Sequence, residues 1–275
     1  MKQAVILPTR GKPDMLRTVV MAFQHLESTE NDVRYFVRID EDERQIYADI
    51  IEKPLNRVEC LVKSAPLTPA EKSLDIINSV AFKDFDPDVH VLMSDDVLPL
   101  SYCWDGIITK AIELGHLAFC WQEAADPHNQ TYIILAKKYV EAMPSYLTTW
   151  FPFWFSDMWR NEVHRMVFGR SMFIVENLKL GGKRGKTHGF SDAAFWFNFF
   201  ARTRIDRWNE ARQLANNLGV AFDEGSIQWD GFKKWDEFQK GRFYYYETRF
   251  GGNHSHNYLQ AKKRAENYLL HNNLL

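Results

Sequence analysis

The sequence predicts an α/β fold: a mixed, mostly parallel sheet flanked by helices, followed by a helical and aromatic C-terminal part. Three observations predict it. Short apolar runs alternate with amphipathic stretches through the first hundred residues. The runs are continuously apolar, as strands buried on both faces are. Their order, β-α-β-α-β, is that of an open sheet with crossover helices.

Ala4-Val5-Ile6-Leu7 is the first buried strand, stopped by Pro8, and the turn Thr9-Arg10-Gly11-Lys12-Pro13 follows. Asp14 to Leu26 reads as a helix, with Leu16, Val19, Val20 and Phe23 on one face and Asp14 near its start. Arg34 to Ile39 is the second strand and ends at Asp40; Arg57 to Val62 is the third. Thr68-Pro69-Ala70-Glu71 is a capped helix start, with the helix running to about Phe82. Val89 to Met93 is the fourth buried strand and ends at Ser94-Asp95-Asp96. Leu117 to Trp121 and Thr131 to Leu135 read as strands around a loop, and Lys137 to Met143 as a short helix stopped by Pro144. The aromatic stretch Leu147 to Phe155 leads into a helix over Ser156 to Phe168. Leu180 to Gly189 is a Gly- and Lys-rich loop, Asp192 to about Leu218 one or two long helices, and Ala261 to Leu270 a last helix.

Bulk properties bound the function. A chain of 275 residues with 45% hydrophobic and 25% charged residues builds its own core without staples. Its formal net charge of −2 excludes polyanion binding through overall charge. A local basic patch is expected between Arg160 and Lys186, where Arg165, Arg170, Lys179, Lys183 and Arg184 also fall. Cys60, Cys103 and Cys120 form neither a CxxC pair nor a zinc set and suit a reducing, cytoplasmic setting. No stretch approaches the roughly 18 apolar residues of a membrane span, so no integral membrane segment is expected.

Ligands of open α/β sheets bind outside the carboxyl ends of the strands. Thr9-Arg10, Asp40 with Asp42, and Asp95-Asp96 fall at such ends and should converge on one edge. Two adjacent carboxylates repel unless a cation or hydrogen bonds compensate, and oxygen ligands suit Mg²⁺ or Mn²⁺ bridging to a diphosphate.

These residues carry a resemblance. Val5-Ile6-Leu7-Pro8-Thr9-Arg10, Phe36-Val37-Arg38-Ile39-Asp40 and Val91-Leu92-Met93-Ser94-Asp95-Asp96, with the helix from Ala70 to Phe82 before the last, resemble the strands and helix of family-two glycosyltransferases of GT-A fold. The likeness covers about residues 4 to 100, and 117 to 170 more loosely. It implies an inverting transfer from a nucleotide-sugar donor, with Thr9, Arg10, Asp40 and Asp95 at the donor and Asp96 on a Mn²⁺ or Mg²⁺ ion. Ser94 stands where that family's acidic triplet has its first acid, and the motif of processive members is absent. Phe153-Trp154-Phe155-Ser156-Asp157 is similar to the segment carrying the catalytic acid, so Asp157 is the expected base and Asp192 its reserve. By the same likeness His188 is a candidate third metal ligand. His254 and His256 lack a third ligand.

The expected division is a nucleotide-sugar-binding and catalytic domain over 1–200 and a helical extension over 201–275, which is either a helical cap over the core or the acceptor side. There Trp229, Trp235 and Tyr244-Tyr245-Tyr246 stand among Lys and Arg. The acceptor stays open between a glycan, a small molecule and DNA. Two alternatives also stay open: a nucleotidyltransferase on a related fold, and a non-catalytic sugar- or nucleic-acid-binding protein. Arg10-Gly11-Lys12 lacks P-loop spacing, and no GxGxxG is present.

Overall fold

The structure, a computed structural model, describes residues 1–66, 68–128, 130–151, 156–181, 193–222, 224 and 256–274. The chain forms two compact units, Met1–Glu141 with Met172–Gly185, and Ala142–Ser171 with Lys186–Leu275. The first unit is interrupted in sequence.

The first unit holds a mixed sheet, eight-stranded among the described residues: β1 (Lys2–Pro8), β2 (Asp32–Asp40), β3 (Val58–Lys63), β4 (Val89–Leu92), β5 (Leu98–Pro99), β6 (Ala118–Glu123), β7 (Ile133–Ala136) and β8 (Phe173–Gly181). The order is β3-β2-β1-β4-β7-β6-β8-β5. β1 pairs in parallel with both β2 and β4, setting Ile6 beside Phe36 and Leu92, and β2 pairs in parallel with β3. The continuous apolar run of β1 follows from this central place: Ala4 to Leu7 have no exposed surface. β7 turns antiparallel against β4 and β6, and β8 lies parallel to β6 and antiparallel to β5.

Helix α1 (Pro13–His25) starts on a proline, which needs no amide partner there, and buries Leu16, Val19, Val20 and Phe23 against the sheet. The Phe23 ring meets Trp104 and Trp121 edge-on at 5.2 and 5.8 Å, a geometry that aligns ring edges with π faces. A short helix, α2 (Ala48–Glu52), follows β2. The helix expected over 68–82 is two, α3 (Pro69–Ile77) and α4 (Val80–Phe85). Glu71 accepts from the Thr68 amide at 3.2 Å, as a capping box does. The break comes at Ser79, which turns extended and caps α4 by accepting from the Phe82 amide. Helix α5 (Trp104–Glu113) and α6 (Lys137–Ala142) complete this unit's described helices and the chain's exit from it.

Two expectations are corrected. Leu180 and Gly181 are not loop but the end of β8. Arg160 is no part of a surface patch: it is fully buried and meets Glu210 at 2.7 Å.

The second unit contains α7 (Ser156–Phe168), α8 (Ala193–Arg202), α9 (Arg204–Leu218) and α10 (His256–His271). Helices α7 and α9 exchange buried charges. Glu162 meets Arg204 at 3.2 Å and Arg207 at 3.0 Å, and the Trp159 indole donates to Glu210 at 2.6 Å. The Arg207 guanidinium also lies 3.7 Å from the centroid of the Phe200 ring. Among the described residues no helix is long and apolar enough to cross a membrane.

Candidate donor site

The parallel pairing of β2, β1 and β4 brings their carboxyl ends to one edge. Thr9 and Arg10 leave β1, Asp40 ends β2, and Asp95 and Asp96 follow β4. Of the expected site residues, these five are brought together. Asp157 lies in the first turn of α7, half-buried, in the other compact unit. His188 and Asp192 lie outside the described residues, as do Trp154, His254, Trp229, Trp235 and Tyr244 to Tyr246.

Asp95 is held by a directed chain of hydrogen bonds. The Thr9 hydroxyl donates to Asp95 Oδ2 at 2.6 Å and stands 2.8 Å from the Tyr47 hydroxyl. The Lys12 amide donates to that Tyr47 oxygen at 2.9 Å. Since an amide only donates and a carboxylate only accepts, the order is fixed: Lys12 amide to Tyr47, Tyr47 to Thr9, Thr9 to Asp95. The Arg10 amide adds a longer donation to the same Oδ2, 3.3 Å. Burial raises the Asp95 pKa, while the Thr9 bond and the charge of Lys12 pull it back. Asp96 receives the Ser94 hydroxyl on Oδ1 and the Lys12 ammonium on Oδ2 at 3.2 Å. Lys12 Nζ is also 3.7 Å from Asp95 Oδ1, so one ammonium faces both acids.

Asp40 has no exposed surface, and three cations surround it. Arg10 reaches Oδ2 at 2.6 Å, Lys72 of α3 reaches the same atom at 2.7 Å, and Arg38 reaches Oδ1 at 3.1 Å. Lys72 donates as well to the Thr9 carbonyl at 2.9 Å, which ties α3 to the end of β1. Burial lowers the Lys72 pKa, and Asp40 opposes that shift. Arg10 itself is half exposed and is drawn into an acidic rim by Asp42 at 3.1 Å and Glu43 at 3.7 Å. Gly11 makes the turn possible: its φ of +69° is left-handed, and its amide donates to Glu43 at 3.0 Å. Sequence reasoning missed Tyr47, Lys72 and Arg38. A buried lysine on an amphipathic helix looks like a solvated one until its partner strand is in place.

In donor type, Asp95 and Asp96 fit a Mg²⁺ or Mn²⁺ ion, which takes hard oxygen ligands. Among the described residues no group of three His, Cys, Asp or Glu could hold a metal. An ion at this pair would need further oxygens from a bound ligand.

No family model matches the sequence, and no curated protein matches it. Solved structures do match. The crystal structure of S. aureus TarS aligns over 86% of this chain and 47% of that chain, with 12% identity and a TM-score of 0.52. The fold is of the GT-A type. The chain spans about half the length of that TarS structure. TarS 1-349 in complex with UDP-GlcNAc aligns over 79% of this chain and 72% of that one, at 12% identity and a TM-score of 0.48. Glucosyl-3-phosphoglycerate synthase from Mycobacterium tuberculosis, in complex with Mg²⁺ and UDP, covers 82% and 81%, at 11% identity and a TM-score of 0.45. On this GT-A frame the polar cluster occupies the edge where an open sheet takes its ligand.

Proposed function

We propose that this chain is a glycosyltransferase that moves a sugar from a nucleoside diphosphate sugar to an acceptor hydroxyl. The observation that carries the proposal is the convergence of Asp95 and Asp96 with Arg10 and Lys12 at the carboxyl edge of a GT-A sheet. Acids and cations side by side suit a leaving diphosphate better than either alone. Arg10 and Lys12 offer charge-assisted donors to phosphate oxygens. Thr9 holds Asp95 in one orientation, and Asp40 holds both Arg10 at the rim and the buried Lys72. Asp95 and Asp96 would hold a divalent ion, Mn²⁺ or Mg²⁺, with His188 as the candidate third ligand. When bound, such an ion would supply charge neutralisation to a departing diphosphate.

For the inverting course, Asp157 takes the proton of the attacking hydroxyl, and Asp192 is the reserve. Residues 201–275 are proposed as the acceptor side, with glycan, small molecule and DNA as the acceptor classes. The three cysteines are free thiols, which suits a cytoplasmic protein.

The test is a screen of nucleotide sugars by thermal shift with Mn²⁺ present, followed by turnover of any stabilising donor, since a binder raises the melting point by mass action. Asp96→Ala should abolish most donor turnover with the fold intact. Full wild-type activity after EDTA treatment would refute the metal assignment. A donor that binds but is never hydrolysed or transferred would point to the non-catalytic alternative.

A further inference from the structure

Lys12, a phosphate donor in the reading above, already contacts both acids of the pair. Its backbone is pinned at both ends: the amide donates to Tyr47 at 2.9 Å, and the carbonyl accepts from Leu16 at 2.9 Å as α1 begins. Gly11 before it holds a left-handed turn, and Pro13 after it fixes the helix start. Only the four-carbon side chain is free to move. Its ammonium lies 3.2 Å from Asp96 and 3.7 Å from Asp95.

We propose that Lys12 is a tethered counter-ion that competes with divalent cations for the Asp95–Asp96 pair. Two adjacent carboxylates bring two negative charges into one loop, and burial makes the Asp95 charge costly. One ammonium facing both acids offsets one of their two charges and holds the acids together. A divalent ion entering the same space meets the ammonium as a like charge a few ångströms away, so it must displace Lys12. The displaced ammonium stays on its stem beside the cluster, where a diphosphate gives it a second partner. Metal binding is therefore weak in the free protein and strengthened by a phosphate-bearing ligand, a positive coupling that acts equally in both directions. The inference rests on the reading of Asp95 and Asp96 as the cation-holding pair of the donor site.

The test measures Mn²⁺ alone on the free protein, by water-proton relaxation or calorimetry, without donor or turnover. Lys12→Met removes the charge and keeps the stem. It should bind Mn²⁺ at least about tenfold more tightly than wild type, the scale of a 1.4 kcal/mol difference. Lys12→Arg keeps a cation in place and should stay within about threefold of wild type, a gap under 1 kcal/mol. Asp96→Asn in the Lys12→Met background should lose the gained affinity. Equal Mn²⁺ affinity in wild type and Lys12→Met overturns the proposal, as does a gain that survives Asp96→Asn. A chain that binds no nucleotide sugar, yet gains Mn²⁺ affinity on Lys12→Met, overturns the transferase reading and leaves the counter-ion standing.

Discussion

Asp40→Asn tests the electrostatic core of the site. The substitution keeps the shape of the side chain and removes one negative charge from among three cations. Asp40 is fully buried, so solvent does little to screen the loss. Arg38 retains Asp75 at 2.9 Å, and Arg10 retains Asp42 and Glu43. Lys72 is the group most exposed to the change, because the Thr9 carbonyl at 2.9 Å is a neutral partner. Removing one partner of a buried ion pair costs about 3–5 kcal/mol. At about 2–4 °C per kcal/mol for a unit of this size, the melting point should fall by about 10 °C.

The pH dependence separates this cause from simple misfit. Lys72 already has a lowered pKa from burial, and losing Asp40 lowers it further. A lysine with a depressed folded pKa contributes stability above its unfolded pKa and loses it as pH falls through the folded value. Raising the pH from 7 toward 10 therefore favours the variant more than wild type, and the gap should narrow by up to about 1.4 kcal/mol per pH unit. Chemical denaturation of both proteins at several pH values measures it. A gap below about 1 kcal/mol at pH 7, the scale of an ordinary surface change, or a gap that stays constant to pH 10, would refute the reasoning.

Other outcomes are expected. Asp157→Asn should lower kcat by roughly 10²–10⁴-fold while donor binding persists, the mark of a lost general base; a near-normal kcat there, with that loss at Asp192→Asn alone, transfers the role. His90 is buried against the Phe82 ring, and burial with the nearby Lys137 charge pushes its pKa down to about 4. Its neutral form stabilises the fold above the unfolded value of about 6.5, and that contribution fades as pH falls from there toward the folded value. His90→Phe should flatten the acid limb of the stability profile in that window, and an unchanged slope would count against burial as the cause.

The legible parts of the sequence were those where burial is continuous. β1, β2 and β4 read correctly because strands in the middle of a parallel sheet are apolar on both faces, and their polar ends marked the site edge. β8 was illegible for the opposite reason: Phe173, Glu176, Asn177 and Lys179 are exposed, and only Leu178 and Leu180 are fully buried in the strand. β5 has two residues, one a proline, too few for any period. At the site, Thr9, Arg10, Asp40, Asp95 and Asp96 could be named because each follows a readable strand. Arg38, Tyr47 and Lys72 could not, since a buried charge or hydroxyl is intelligible only beside partners that arrive from distant segments.

The return of β8 has a consequence for how the protein is made. The first unit is left after Glu141 and resumed at Met172. β8 then lies between β6 and β5, and β5 belongs to the turn that follows Asp95 and Asp96. Hydrogen bonds fasten that turn to β8: the Leu100 amide donates to the Lys179 carbonyl at 2.8 Å, Ser101 Oγ to the Asn177 carbonyl at 2.7 Å, and the Lys179 amide to Ser101 Oγ at 2.8 Å. During synthesis the acid pair emerges about eighty residues before the strand that anchors its loop, a delay of roughly 4–16 s at ordinary elongation rates. Until then one side of β6 is an unpaired edge open to other chains. The nascent chain carries its carboxylates in an unfinished sheet, and β8, the last strand among the described residues, is the one that fastens their loop.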